Sequence, residues 1–343
     1  MPDIPDDAHY KTVVKAIRRA RLVPFLGAGV SLCDRPIDKE WSMGHSHLPS
    51  GDDLAQFLST GFGYPLPQIK CPSCKACVPM SPDLSRVSQF VLAKAALDAL
   101  YNELHEVFEP TYSPNTVHDF LATLPAFFRQ KGYPVPFPLI VTTNYDDVLE
   151  RSFWHQCEAF DVVSYIAQGT NCGKFLHYTF TPKNEKGEFA QPGDRLSRWP
   201  PEEVQPKLIE RPNEYLEFSL DMRTVILKMH GDIDRLDPKR DSFVIAEDHF
   251  IDYLTQTDLF NFLPTTLLVK LSESNFLFLG YSLRDWNMRV ILHRIWGKQM
   301  SSYKRWAIQL NPDELEKKFW EYRGVEIFDL RLEDYLKELR KHL

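Results

Sequence analysis

Glycine is scarce in this chain, with 15 in 343 residues against 25 proline. That balance excludes long flexible Gly-rich linkers and favours stiff loops. Cysteine is also sparse, at six, which is no disulfide framework and points to a reducing, cytoplasmic setting. No segment approaches the ~20 apolar residues of a membrane span. The first residues, Met1-Pro2-Asp3-Ile4-Pro5-Asp6-Asp7, are acidic and proline-broken, unlike a secretory signal. A basic excess is missing too: 40 Lys and Arg face 47 Asp and Glu, a net charge of −7. Direct nucleic-acid binding is therefore not expected. What is present is globular: 43% apolar and 13% aromatic residues suffice for a sizeable core. The length suits one large domain or two ordinary ones.

Short apolar runs punctuate the chain at Leu22–Leu26, Leu139–Thr142, Val225–Met229, Asn275–Leu279, Trp306–Leu310 and Val325–Phe328. Runs of this length suit strands buried on both faces of a parallel sheet. Helical patterns lie between them, at Ala8–Arg21, Ser81–Glu109, Val117–Gln130, Asp146–Trp154, His249–Leu271, Ser282–Trp296 and Pro312–Tyr322. The alternation predicts an α/β fold, a Rossmann-like doubly wound parallel sheet with ligands at the carboxyl ends of its strands. We expect a single domain over 1–343 with two insertions. One, at about 33–115, holds a Cys-rich loop and a long helix; the other, at about 157–222, is polar and Pro-rich. Loops of this length are usually lids, binding elements or oligomer contacts.

Four strand ends carry chemistry. Pro24-Phe25-Leu26 runs into Gly27-Ala28-Gly29-Val30-Ser31, small residues that let a backbone approach a pyrophosphate. The third glycine of the dinucleotide fingerprint is absent, so a plain tight turn is the competing reading. Ile140-Val141-Thr142 leads to Thr143-Asn144-Tyr145-Asp146, delivering an amide and a carboxylate; helix capping accounts for only one of the two. Lys228-Met229 ends in His230-Gly231, and Phe278-Leu279 ends in Gly280-Tyr281-Ser282. Each is modest alone, but in a doubly wound sheet all four would meet in one crevice.

This ordered set resembles the SIR2 (sirtuin) superfamily, and most closely the bacterial SIR2-like NAD-consuming proteins of anti-phage defence. The resemblance implies NAD+ as substrate. It places the pyrophosphate on Gly27, Ala28, Gly29 and Ser31, and puts Thr143 beside the site. Asn144 would hold the nicotinamide ribose, Asp146 the carboxamide, and His230 the ribose hydroxyls or a proton as general base. Gly280 and Ser282 would face the adenosine side. It further implies an NAD+ glycohydrolase that depletes NAD+, with Asn144 and His230 catalytic. Control would come from homo-oligomerisation, a separate HerA-like ATPase or a phage-protein activator. No P-loop is present in the chain itself. A non-catalytic NAD or ADP-ribose-binding module is the alternative from another class.

Protein-deacylating sirtuins carry a second motif after the first loop and two Cys pairs downstream of the histidine. Here Ser31 is followed by Leu-Cys-Asp-Arg-Pro-Ile, and no cysteine follows Cys172. That disfavours deacylation and favours hydrolysis or cyclisation. The Cys-rich element lies instead at Cys71, Cys74 and Cys77, whose C-x-x-C spacing suits structural zinc, with Cys33, His45 or His47 as a fourth ligand.

Overall fold

The computed structural model describes residues 4–36, 40–66, 81–255, 263–283, 286–297 and 303–343, with backbone alone for 68–70, 77–79 and Trp286. Its centre is a nine-stranded sheet in the order β11-β10-β9-β1-β4-β8-β5-β6-β7. The strands are β1 Leu22–Leu26, β4 Leu139–Thr142, β5 Phe160–Tyr165, β6 Phe175–Phe180, β7 Lys207–Ile209, β8 Thr224–Lys228, β9 Asn275–Leu279, β10 Arg305–Gln309 and β11 Val325–Asp329. From β11 through β5 the strands run parallel; β6 and β7 continue antiparallel. A separate ribbon pairs β2, Gln68–Lys70, with β3, Cys77–Pro79. The fold is α/β and Rossmann-like.

Both faces of the sheet are covered, which is why its strands read as unbroken apolar runs. Leu26, Ile140, Ile226, Leu279 and Ile308 point to one face, beneath the helices Asp7–Arg18, Thr116–Gln130, Val148–His155 and Leu332–His342. Phe25, Val141, Leu227, Phe278 and Ala307 point to the other, beneath Thr265–Ser272, Trp286–Trp296 and Glu314–Tyr322. Each of these side chains larger than Ala307, fully buried, contributes about 1.5–3 kcal/mol. Pro24 lacks a ladder donor, yet it sits in a central strand. It pairs with Leu277 of β9 just before the β4 ladder begins at Phe25 and Val141.

The chain winds from β1 to β4 on one side and places β9, β10 and β11 on the other. The topological switch point therefore lies at β1 and β9, where such sheets bind ligands.

Three expectations need correction. The stretch at 157–222 is not wholly an insertion, because β5 within it pairs directly with β8 and extends the sheet. The long helix is Leu84–Phe108, broken at Ala96, whose φ of 67° and ψ of 172° leave the helical region. Its halves bury separate sets, Val87 and Val91 before the break and Leu100, Leu104 and Val107 after it. The span His249–Leu271 contains two described helices, Glu247–Thr255 and Thr265–Ser272, the second entered at Pro264. A further helix, Gly51–Phe62, lies inside the first insertion. It starts from a capping box in which Ser50 and Asp53 satisfy each other's backbone N–H groups. It packs with the long helix into a third core around Trp41, Leu58 and Leu104. Among the described residues no helix is long and apolar enough to cross a membrane.

Candidate active site

The β1 turn and the β9 turn are built into one another. The Gly29 N–H donates to the Gly280 carbonyl at 2.8 Å, and the Gly27 N–H donates to the Leu279 carbonyl at 3.2 Å. A Cβ on Gly29 would stand 2.4 Å from the Gly280 oxygen, and one on Gly280, at φ +60°, would stand 2.3 Å from the Val30 nitrogen. Glycine is required on both sides because backbone meets backbone there. After Gly27 the chain forms a 3-10 turn, Ala28–Leu32, with Ala28 exposed and Ser31 buried. Gly29→Ala is expected to cost about 1–3 kcal/mol in stability, the range for overpacking against a backbone that cannot yield. Thermal melting checks this, and wild-type stability in that variant would contradict the tight packing.

The β4 end joins the same turn. The Thr143 N–H donates to the Leu26 carbonyl at 3.2 Å, and the Asn144 side-chain amide donates to the Gly27 carbonyl at 3.3 Å. Asn144 Oδ1 is buried and accepts no hydrogen bond among the described residues. A buried acceptor without a donor costs about 1–3 kcal/mol unless a ligand or water supplies one. Asp146 is also buried, and its Oδ1 accepts the Val148 N–H at 3.0 Å, at the start of the Val148–His155 helix. Asp146 thus takes the first helical N–H from outside the N-cap residue Asp147, and Asn144 has no part in the helix start.

His230 lies two residues past β8, and the Met229 N–H between them donates to the Thr142 carbonyl at 2.9 Å. The imidazole is buried, edge-on to Phe250 and Tyr253. The segment after it doubles back. Val244 N–H returns to the His230 carbonyl at 2.9 Å, and Gly231, at φ +82°, lies so close to Ser242 that a Cβ would meet its oxygen at 2.2 Å. Tyr145 O–H donates to the Val244 carbonyl at 2.8 Å, and Tyr101 of the long helix brackets Phe243 through both backbone groups. The histidine loop is therefore held from the sheet on one side and from the first insertion on the other.

Gly27, Ala28, Gly29, Ser31, Thr143, Asn144 and Gly280 thus lie on turns joined by hydrogen bonds, with His230 one strand further on. Ser282 is exposed, and no contact ties it to them among the described residues. Sequence reasoning missed Asn115. It caps the Thr116–Gln130 helix, and its side-chain amide donates to the Val30 carbonyl at 2.8 Å, bracing the first turn from behind. Asn-Thr-Val-His does signal a helix start, but nothing local names a partner 85 residues away. His118, in the same capping box, is neutral, its pKa pushed down to about 4 by burial.

The zinc expectation falls largely outside the described residues: Cys71 and Cys74 are not among them, and Cys77 is described only as backbone. Cys33 serves elsewhere. It is buried, its thiol donates to Glu333 at 3.7 Å, and burial raises its pKa to about 12, so it offers no thiolate. Among the described residues no group of three or more His, Cys, Asp or Glu is arranged to hold a metal.

Comparison with known proteins gives the family. Residues 138–328, more than half of the chain, match the SIR2-like domain family. The chain belongs to that family. The matched range carries Asn144, His230 and Gly280, while the Gly27–Ser31 turn lies before it. This SIR2-like chain is also 23% identical over 330 residues to Defense-associated sirtuin 2 of Bacillus subtilis. The alignment takes in 93% of the chain and 24% of the relative, so the chain spans about a quarter of that protein's length. SIR2-like domains use NAD+.

Proposed function

We propose that this chain is an NAD+ glycohydrolase, releasing nicotinamide and ADP-ribose, and that it acts in defence by depleting NAD+. The observation that carries the reading is the buried Asn144 Oδ1, without a donor among the described residues, at the carboxyl ends of the central strands beside the Gly27–Gly29 turn. The name of the Bacillus relative supports the defence role.

The residue types suit the reaction. The bond from C1′ to the pyridinium nitrogen breaks with its electron pair going to nicotinamide, which leaves neutral and needs no strong acid. Positive charge spreads over the ribose as an oxocarbenium-like species. Water then forms the new C1′–O bond and gives up a proton. The main work left to the protein is to orient water and ribose and to keep other solvent out. Asn144 offers an amide oxygen as acceptor. His230 is a base in a dry setting beside Phe250 and Tyr253. The glycines let the β1 and β9 turns pack together, and the exposed Ala28 between them is where a pyrophosphate would lie. Metal chemistry is not required by this scheme. Control by assembly or by a partner belongs to the same proposal, because an enzyme that drains NAD+ must be restrained.

The test is turnover of NAD+ by purified wild type and His230→Ala, with nicotinamide, ADP-ribose and cyclic product resolved by chromatography. Wild type should release nicotinamide, and His230→Ala should release it at least about a hundredfold more slowly, as for loss of a general base. Binding of NAD+ by wild type without any turnover would favour the non-catalytic module. Turnover that required an acylated peptide would favour deacylation.

A further inference from the structure

A cavity opens beside the start of the Val148–His155 helix, where Asp147 and Glu150 line it. Its volume is about 50 Å³, and its walls include Glu150, Asp232, Tyr178, Phe180, Trp199 and Val204. One water needs roughly 10–15 Å³, so there is room for about three to five waters or one small head group.

The charges around it pair off with one exception. Lys228 donates to Glu150 at 2.9 Å. Asp147 takes Arg235 and Arg151, at 2.6 and 3.1 Å. Asp234 takes Arg240 at 2.6 Å and the Tyr178 hydroxyl at 2.9 Å. Asp232 is 8% exposed and has only the Ser164 hydroxyl, at 2.7 Å on Oδ1, with no cation in contact among the described residues. Burial raises its pKa to about 7; Lys228 and Ser164 oppose that, and Glu150 and Asp234 add to it. Asp232 is thus the carboxylate lining the cavity that has no cation in direct contact among the described residues, with Lys228 acting on it only from a distance. A divalent metal does not fit, since a single carboxylate without a cation cannot supply its oxygen shell. The aromatic side chains of Tyr178, Phe180 and Trp199 and the apolar Val204 in its walls suit a cation carried on a hydrocarbon stem.

We propose that this cavity binds a small organic cation, a primary ammonium or guanidinium group on an apolar stem, with Asp232 as its counter-ion. The proposal stands apart from the reading of the NAD+ site. Because Lys228 also donates to the Asp146 carbonyl at 2.6 Å, an occupant beside Lys228 would bear on the turn that carries Asn144.

The test is calorimetric titration of the full chain without NAD+, using n-propylammonium chloride against a sodium chloride background of equal ionic strength. A second arm uses a blocked tripeptide with one central lysine. Saturable binding in the first arm alone identifies a free amine as the occupant; saturation by the peptide identifies a protein side chain. An alkylammonium stays protonated well above pH 8. The apparent affinity should therefore follow the ionised fraction of Asp232 and fall about tenfold from pH 8 to pH 6. Asp232→Asn, which keeps the shape and sheds the buried charge, should lose the binding while melting no lower than wild type at pH 8. Val204→Phe, which narrows the cavity and leaves Asp232 in place, should lose it too. Absence of saturation by either probe at pH 8, or equal binding by Asp232→Asn, would overturn the proposal.

Discussion

Asn144→Ala is expected to cut nicotinamide release from NAD+ by about 10²–10³-fold while the protein melts within a degree or two of wild type. The two halves of this expectation have separate causes. Removing a polar group that meets charge as it develops in a transition state typically costs that much in rate. Stability should hardly change, because in the folded protein the side chain makes one long hydrogen bond, 3.3 Å to the Gly27 carbonyl. Against that loss stands relief from a buried oxygen that accepts nothing among the described residues. A residue whose job is structural shows the reverse pattern, stability falling with activity. Asn144→Asp sharpens the comparison. It keeps the size, loses the donor to Gly27 and adds a negative charge beside a turn proposed to hold pyrophosphate, so NAD+ affinity should fall as well. Near wild-type turnover in Asn144→Ala would remove Asn144 from the site.

The parts of the fold that could be read from sequence are those where one physical constraint acts locally. Strands β1, β4, β8 and β9 are buried on both faces, so Leu22–Leu26 or Asn275–Leu279 can be little else. The glycines at 27, 29 and 280 were legible as small residues at strand ends, though their reason, one backbone pressed on another, is a long-range fact. The sheet order was not legible. Nothing in Val225–Met229 says that it slots between β4 and β5, strands that precede it in the chain. Likewise, Thr143-Asn144-Tyr145-Asp146 offered two candidates for the helix start, and only the geometry shows that Asp146 takes the first helical N–H while Asp147 is the N-cap residue. The helix at Gly51–Phe62 was announced by Ser50 and Asp53 at capping-box spacing, but proline, histidine and cysteine around it hid the signal. Asn115 and Val30 meet only because the Thr116–Gln130 helix packs across the first turn.

One signal stood in plain view, a lysine inside an apolar strand. Lys228 is 1% exposed, and its ammonium donates to Glu150 at 2.9 Å and to the carbonyls of Asp146 and Tyr145 at 2.6 and 3.4 Å. Burial works against its charge, but Glu150, Asp232 and Asp146 outweigh that and hold its pKa above the ordinary lysine value. Its backbone leads into His230 and its side chain braces the Asn144 turn, so one residue ties the two halves of the candidate site. Lys228→Met is expected to lose about 3–5 kcal/mol, because it strands Glu150 as an uncompensated buried charge. Lys228→Met combined with Glu150→Leu removes both charges together and should regain most of that stability, as apolar replacements of buried ion pairs do. Turnover should not return with it, since the carbonyls of Tyr145 and Asp146 still lack their donor and the turn is free to shift. A shift of about 1 Å near the reacting groups is enough for a hundredfold loss. Melting temperature and nicotinamide release, measured on the same three proteins, separate the two roles. Recovery of both in the double variant would make Lys228 a partner for Glu150 and nothing more.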